Sequence, residues 1–237
     1  MSSGTVRRTD VTPFDSGAAA GIFAGAIFAG LSSLFVPLGI VEITSPALRI
    51  ALLFGMGACG LIAAGRVRLR LWPASGLHPW LVGLAAAVGV AVAVVILDCF
   101  LFRATLPADY VATLRQPLWL RLVYFMPRAF TENTVYRLFL ISLLVLLMGR
   151  FWREADGTPA SGAYWVALVL AQVVNITLNV VAHETVTPLI LFYDTIRYVA
   201  PGCLWGYLFW RHGLATAEIA AVGTHLFLQP AFSIFLN

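Results

Sequence analysis

The chain contains no lysine; its 15 basic residues are all arginines, set against 11 acids for a net charge of +4. Charge of either sign is scarce. At 11% it is less than half of the roughly 25% found in soluble domains, so an ordinary water-soluble fold is excluded. The arginines are scattered between apolar runs and form no basic face, which argues against nucleic acid as a partner. Cysteine is also sparse. Cys59, Cys99 and Cys203 are odd in number and isolated, with no C-x-x-C spacing, so neither a disulfide framework nor a zinc knuckle is expected. What remains is 60% hydrophobic with a mean hydropathy of +0.89, the composition of a membrane-embedded chain.

A membrane span needs about 20 apolar residues to cross a hydrocarbon core about 30 Å thick. Gly17–Val41 satisfies this and, although it follows Arg7 and Arg8, is too long for a signal-peptide core of about 7–15 residues. Residues 1–16 then form a cytoplasmic tail, and residues 17–237 a transmembrane helical domain. Ala47–Ala64, Pro79–Phe102, Leu122–Gly149 and Ala163–Ala182 are the next expected spans. Between them lie the basic loop Gly65–Pro73, a polar connector Arg103–Arg121 along the interface, and the loop Arg150–Gly162. Thr185–Tyr198, Pro201–Trp210 and Leu214–Leu236 complete an all-α polytopic bundle of about eight spans. Seven is the alternative if the two short segments pair. With eight spans, positive-inside bias places both termini in the cytoplasm, with Arg66, Arg68, Arg70, Arg150 and Arg153 on that side. An alanine-rich, lysine-free composition hints at a GC-rich bacterial genome and hence the bacterial cytoplasmic membrane.

Ionisable residues within spans are costly and tend to mark function. "AFTENTVYRLFL" (Ala129–Leu140) places Glu132 and Arg137 within one span, with Asn133 and Arg137 as i,i+4 neighbours. A structural ion pair between helices is the plainer reading of these two charges. "QVVNITLNVVAHE" (Gln172–Glu184) sets Gln172, Asn175, Asn179 and His183 along one helix face, a pattern whose default role is interhelical hydrogen bonding. Its "HETVT" is half of a zincin H-E-x-x-H, with Thr187 where the second histidine would stand. In "THLFLQP", His225 and Gln229 are again i,i+4 and share a face. One acid and two histidines on three spans suit general-base activation of water and hydrogen bonding to an oxyanion.

These stretches, "ENTVYR", "NVVAH" and "HLFLQ" in this order, resemble the E-E-x-x-x-R, F-x-x-x-H and H-x-x-x-N motifs of the CPBP (ABI or CAAX-protease) family of intramembrane proteases. The glycine-rich approach "GCLWGYLFWRHGLATAEIAAVGTHLFLQ" adds to the likeness, which covers about residues 125–232 as a protease-like core. The resemblance implies a membrane-embedded endopeptidase acting on a peptide or protein substrate among membrane lipid. In it Glu132 is the catalytic acid, His183 and His225 are the histidines, Gln229 stands for the final asparagine and Arg137 organises the site. Asn133 stands where the family has a second glutamate and Asn179 where it has phenylalanine, so Arg137 needs another acid, with Glu132, Glu184, Asp194 and Glu218 as candidates. No cofactor is expected; a divalent metal, if held, would take Glu132, His183 and His225. The alternatives are a non-catalytic membrane scaffold or immunity protein of the same family, and a transporter with an intramembrane proton relay.

Overall fold

A computed structural model describes residues 16–32, 45–73, 75–180 and 186–236. The described residues are helical throughout, apart from loops and one isolated bridge between Arg153 and Pro159. In chain order the helices are α1 (Ser16–Ser32), α2 (Pro46–Arg66), α3 (His78–Leu101), α4 (Ala108–Leu114), α5 (Leu118–Met148), α6 (Ser161–Val180), α7 (residues 188–212) and α8 (Leu214–Phe235). Three of them, α2, α3 and α5, with 21, 24 and 31 residues, are long and apolar enough to cross a membrane.

Local chemistry sets the helix starts. Ser45 caps α2, its Oγ accepting from Leu48 N at 3.5 Å, and Pro46 opens the helix with φ already helical. Thr187 caps α7 in the same way, accepting from Ile190 N at 3.2 Å ahead of Pro188. Gly213 separates α7 from α8 at φ +102°, where a side chain would be strained and a Cβ would meet the Trp72 backbone at 3.0 Å.

Three helices widen into π geometry: α3 over Ile96–Leu101, α5 over Asn133–Ile141 and α7 over Thr195–Val199. Each π segment carries interior charge, namely Asp98, Arg137 and Arg197 respectively. Such insertions are rare and gather at functional sites. The third one corrects a sequence expectation. Thr185–Tyr198 and Pro201–Trp210 do not form two separate segments, because Pro188–Asp194, Thr195–Val199 and Ala200–His212 run on as one helix. Pro201 does not break it; it lies inside the continuous helix, two residues past the π segment Thr195–Val199.

α8 packs chiefly on α3 and α5, while α2 and α6 lie against the π segment of α5. One core cluster gathers Ala64, Leu138, Val145, Leu168, Phe209 and Ala217; a second gathers Val90, Val94, Phe125, Leu228 and Phe232. The two ends of the bundle are distinct. At one end Leu214 N donates to Arg70 O at 3.1 Å, Tyr164 Oη donates to Val67 O at 3.1 Å, and His78 lies 5.9 Å from His212. At the other, Phe100 packs 5.7 Å from Phe235 and Arg103 Nη2 donates to Leu236 O at 3.5 Å. Leu236 therefore lies at the end of the bundle opposite Arg70. Arg121 also departs from the expected connector: it is buried at 2% exposure inside α5 and donates to Ser233 on α8. Outward faces remain apolar, as at Leu81, Val92 and Val169.

Candidate functional site

Within the bundle is a cavity of about 110 Å³ whose polar lining is Arg128 and Glu132 of α5, Asn175 of α6, Arg197 of α7, and His225 and Gln229 of α8. Tyr110, Phe125, Tyr198 and Trp205 supply aromatic walls. Glu132 and His225, 93 positions apart in sequence, are thus brought to one chamber because α8 packs along α5.

Glu132 is the last residue before α5 widens. Its Oε1 accepts from Arg128 Nε at 3.0 Å, one turn back, and both side chains are about a quarter exposed, at 22% and 24%. His225 stacks on Phe125, with ring centroids 5.3 Å apart and planes 13° off parallel, and its Nδ1 lies 3.4 Å from Gln229 Nε2. An amide N–H donating to Nδ1 leaves the ring proton on Nε2, so a neutral His225 is a donor through that nitrogen. Gln229 is buried, and its Oε1 has no hydrogen-bond partner among the described residues. Asn175 donates to Gln172 Oε1 at 3.4 Å, so this part of the polar stripe bonds along its own helix. Gln172 below it is pressed against Gly202 of α7, where any side chain would collide with the Gln172 amide.

The other two expected members do not line the chamber. Asn133, fully buried, turns to α8 and donates from Nδ2 to Glu218 Oε2 at 3.0 Å and to Ala217 O at 3.4 Å. Arg137 is 1% exposed, with its guanidinium 5.2 Å from the Trp205 ring and 6.0 Å from that of Tyr136. Its three guanidinium nitrogens form no hydrogen bond among the described residues. The expected acid partner is therefore not bonded to it. Trp205 belongs to both environments: it lines the chamber and lies under the Arg137 guanidinium. His183 and Glu184 lie outside the described residues, as does the Asn179 side chain. Among the described residues no three His, Cys, Asp or Glu side chains group as metal ligands.

Sequence reasoning missed the strongest polar network. Asp98, fully buried in the π segment of α3, accepts from Tyr193 Oη at 2.8 Å, Tyr110 Oη at 3.0 Å and Arg197 Nε at 3.1 Å. Arg197 Nη2 in turn donates to Tyr110 Oη at 2.6 Å. The signal was present as one acid in "VVILDCFLF" and one arginine in "LILFYDTIRYVAP", opposite charges alone in two apolar runs. Arg128 was likewise legible as the base one turn before Glu132.

Taken together, the fold and site define an all-helical chain with membrane-length apolar helices and an internal chamber lined by charged and polar side chains. Comparisons with family models, with curated proteins and with solved structures give no match for this chain.

Proposed function

We propose that the chain is a multi-pass membrane protein of seven crossings and that its chamber hydrolyses peptide bonds. The topology rests on the continuous α7 and on arginine placement. With the N-terminus cytoplasmic, seven crossings leave Arg7, Arg8, Arg66, Arg68, Arg70, Arg150, Arg153 and Arg211 inside, and Arg49, Arg103 and Arg115 at the outer side. This asymmetry is stronger than eight crossings would give, because Arg211 changes sides. Labelling single cysteines introduced at positions 3 and 237 tests it; both on one face would overturn seven crossings.

The observation that carries the hydrolytic proposal is the meeting of Glu132, His225 and Gln229 in one chamber, in the roles the resemblance to CPBP proteases implies for them. Arg128 holds Glu132 by one oxygen, leaving Oε2 to take a proton from water. The resulting hydroxide attacks the peptide carbonyl carbon, and the oxyanion receives a hydrogen bond from His225 Nε2. Collapse of the intermediate breaks the C–N bond. The proton held by Glu132 passes to the leaving nitrogen, giving a carboxylic acid and an amine. Glu132→Gln keeps the shape and removes the base, so cleavage by the purified protein should vanish while its thermal midpoint holds. Equal cleavage with glutamine at 132 would end the proposal. The Arg128–Glu132 ion pair also suits a chamber that binds without cutting; in that case ligand binding would survive where no cleavage is found at all. His225→Ala should cost about 10²–10³ in rate, the usual loss for one oxyanion donor, and Gln229→Ala less.

A further inference from the structure

The walls of the chamber are rich in donors. Arg128 and Arg197 bring guanidinium N–H groups, Tyr198 a hydroxyl and His225 a ring N–H; Glu132 is the single carboxylate among the lining residues. Such a lining complements a ligand group that is mostly acceptor. The chamber is small: one water needs roughly 10–15 Å³ of comparable volume. At about 110 Å³ it takes a carboxylate with the atoms next to it, not a length of folded peptide.

Arg197 is the lining side chain most fully fixed in place. Its Nε bonds both oxygens of Asp98 at 3.1 Å, and its Nη2 bonds Tyr110 Oη at 2.6 Å. The rings of Tyr110 and Tyr198 lie 5.2 and 4.8 Å from its Cζ, within cation–π range. Asp98 is fully buried and is not part of the lining, so the acid sits behind the arginine and the guanidinium faces the chamber. One nitrogen, Nη1, is bonded to no described residue and is not among the dry, buried orphans. A buried ion pair replaced by apolar side chains is often neutral or stabilising, so its presence does not follow from stability alone. A cation pinned on three sides and open on the fourth is an arrangement suited to recognising an anion, and a guanidinium matches the two oxygens of a carboxylate.

We propose that the chamber selects ligands carrying a carboxylate next to an apolar residue, with Arg197 as the residue that recognises it. The carboxylate is either the free C-terminus of a peptide or an Asp or Glu side chain. Phe125, Trp205 and Leu228 receive the neighbouring apolar group. Calling this ligand a substrate rests on the peptidase proposal; the recognition itself does not.

The test is calorimetric, on the full-length wild-type chain in phosphatidylcholine nanodiscs. The probes are three pools of mixed-sequence apolar tetrapeptides, N-methylated at their amide bonds to resist hydrolysis. One pool has free C-termini, one has C-terminal amides, and one has amides with a single internal glutamate. We expect one carboxylate-bearing pool to bind at least about tenfold tighter than the plain amides, equivalent to 1.4 kcal/mol. Preference for the free acids identifies the terminus, and preference for the glutamate pool the side chain. Arg197→Gln should abolish the preference, so that the carboxylate-bearing pools bind no more tightly than the amides. The double variant Asp98→Asn with Arg197→Gln removes both charges together, so it provides the same comparison if the single variant does not fold. Equal binding of the three pools, no saturable binding of any, or a preference that survives loss of Arg197 would overturn the proposal. Because cleavage is not the readout, failure here leaves the peptidase proposal standing, and failure of the Glu132→Gln cleavage test leaves this one standing.

Discussion

Arg197 and Arg137 are two interior arginines on two π segments, each lying over aromatic rings, and they are held in opposite ways. Arg197 bonds two oxygens of a fully buried aspartate and one tyrosine hydroxyl, and the aspartate is completed by a second tyrosine. Arg137 bonds nothing among the described residues. Two of its candidate acids are committed elsewhere, Glu132 to Arg128 and Glu218 to Asn133. The first is a closed network in which each charge is satisfied and geometry is fixed. The second is held by packing on Trp205. In low dielectric a closed network loses much when one member goes, while a half-satisfied one loses little. The comparison therefore ranks mutational effects by bonding, although Arg137 is the more buried of the two arginines.

The largest effect belongs to the closed network. Asp98→Ala leaves Arg197 without its counter-charge and two tyrosine hydroxyls without an acceptor, and should cost about 3–5 kcal/mol. Thermal or denaturant unfolding of the detergent-solubilised protein measures it. A loss below about 1 kcal/mol would mean that the network is not closed and that Arg197 finds another partner.

Next is the packing beside Arg137. Gly202 on α7 lies so close to Gln172 on α6 that a methyl group collides with the amide. Gly202→Ala should cost about 1–3 kcal/mol through overpacking. If the same unfolding measurement shows no change, the helices separate easily there.

How far these features could be read from sequence depends on the physics behind them. The all-helical, apolar character followed from hydropathy, because lipid-length helices leave a direct composition signal. The start of α7 was legible too, in Thr187 and Pro188. The continuity of α7 through Pro201 was not. A proline marks a probable boundary in sequence, yet α7 carries Pro201 in its interior, directly after the π segment Thr195–Val199. Glu132 with His225 and Gln229 could be gathered from spacing and resemblance, since all three stand out as polar in apolar helices. The orientation of Asn133 and Arg137 could not. A π segment beginning at Asn133 rotates every later side chain relative to α-helical expectation, and no local residue pattern announces it. The Asp98–Arg197 pair was hidden for a different reason: its members are 99 positions apart, and only the packed bundle joins them.

The smallest effect on stability is expected at Arg137, and it is the most discriminating. Arg137→Met removes three buried donors that have no acceptor and puts a flexible apolar chain against Trp205. The fold gives up a cation–π contact worth about 2 kcal/mol when desolvated, and is relieved of desolvating a guanidinium, a penalty of several kcal/mol in a buried site. The balance should leave the thermal midpoint unchanged or raised, in contrast to Asp98→Ala. Activity should move the other way. If the charge of Arg137 acts on Glu132 through space, cleavage falls at least about tenfold while the fold holds, equivalent to 1.4 kcal/mol of barrier. Arg137→Lys separates charge from shape: it keeps the cation and loses the planar stack, so it should retain more cleavage than methionine does. A drop in thermal midpoint as large as that of Asp98→Ala would show that Arg137 is bonded after all, and the contrast between the two arginines would collapse.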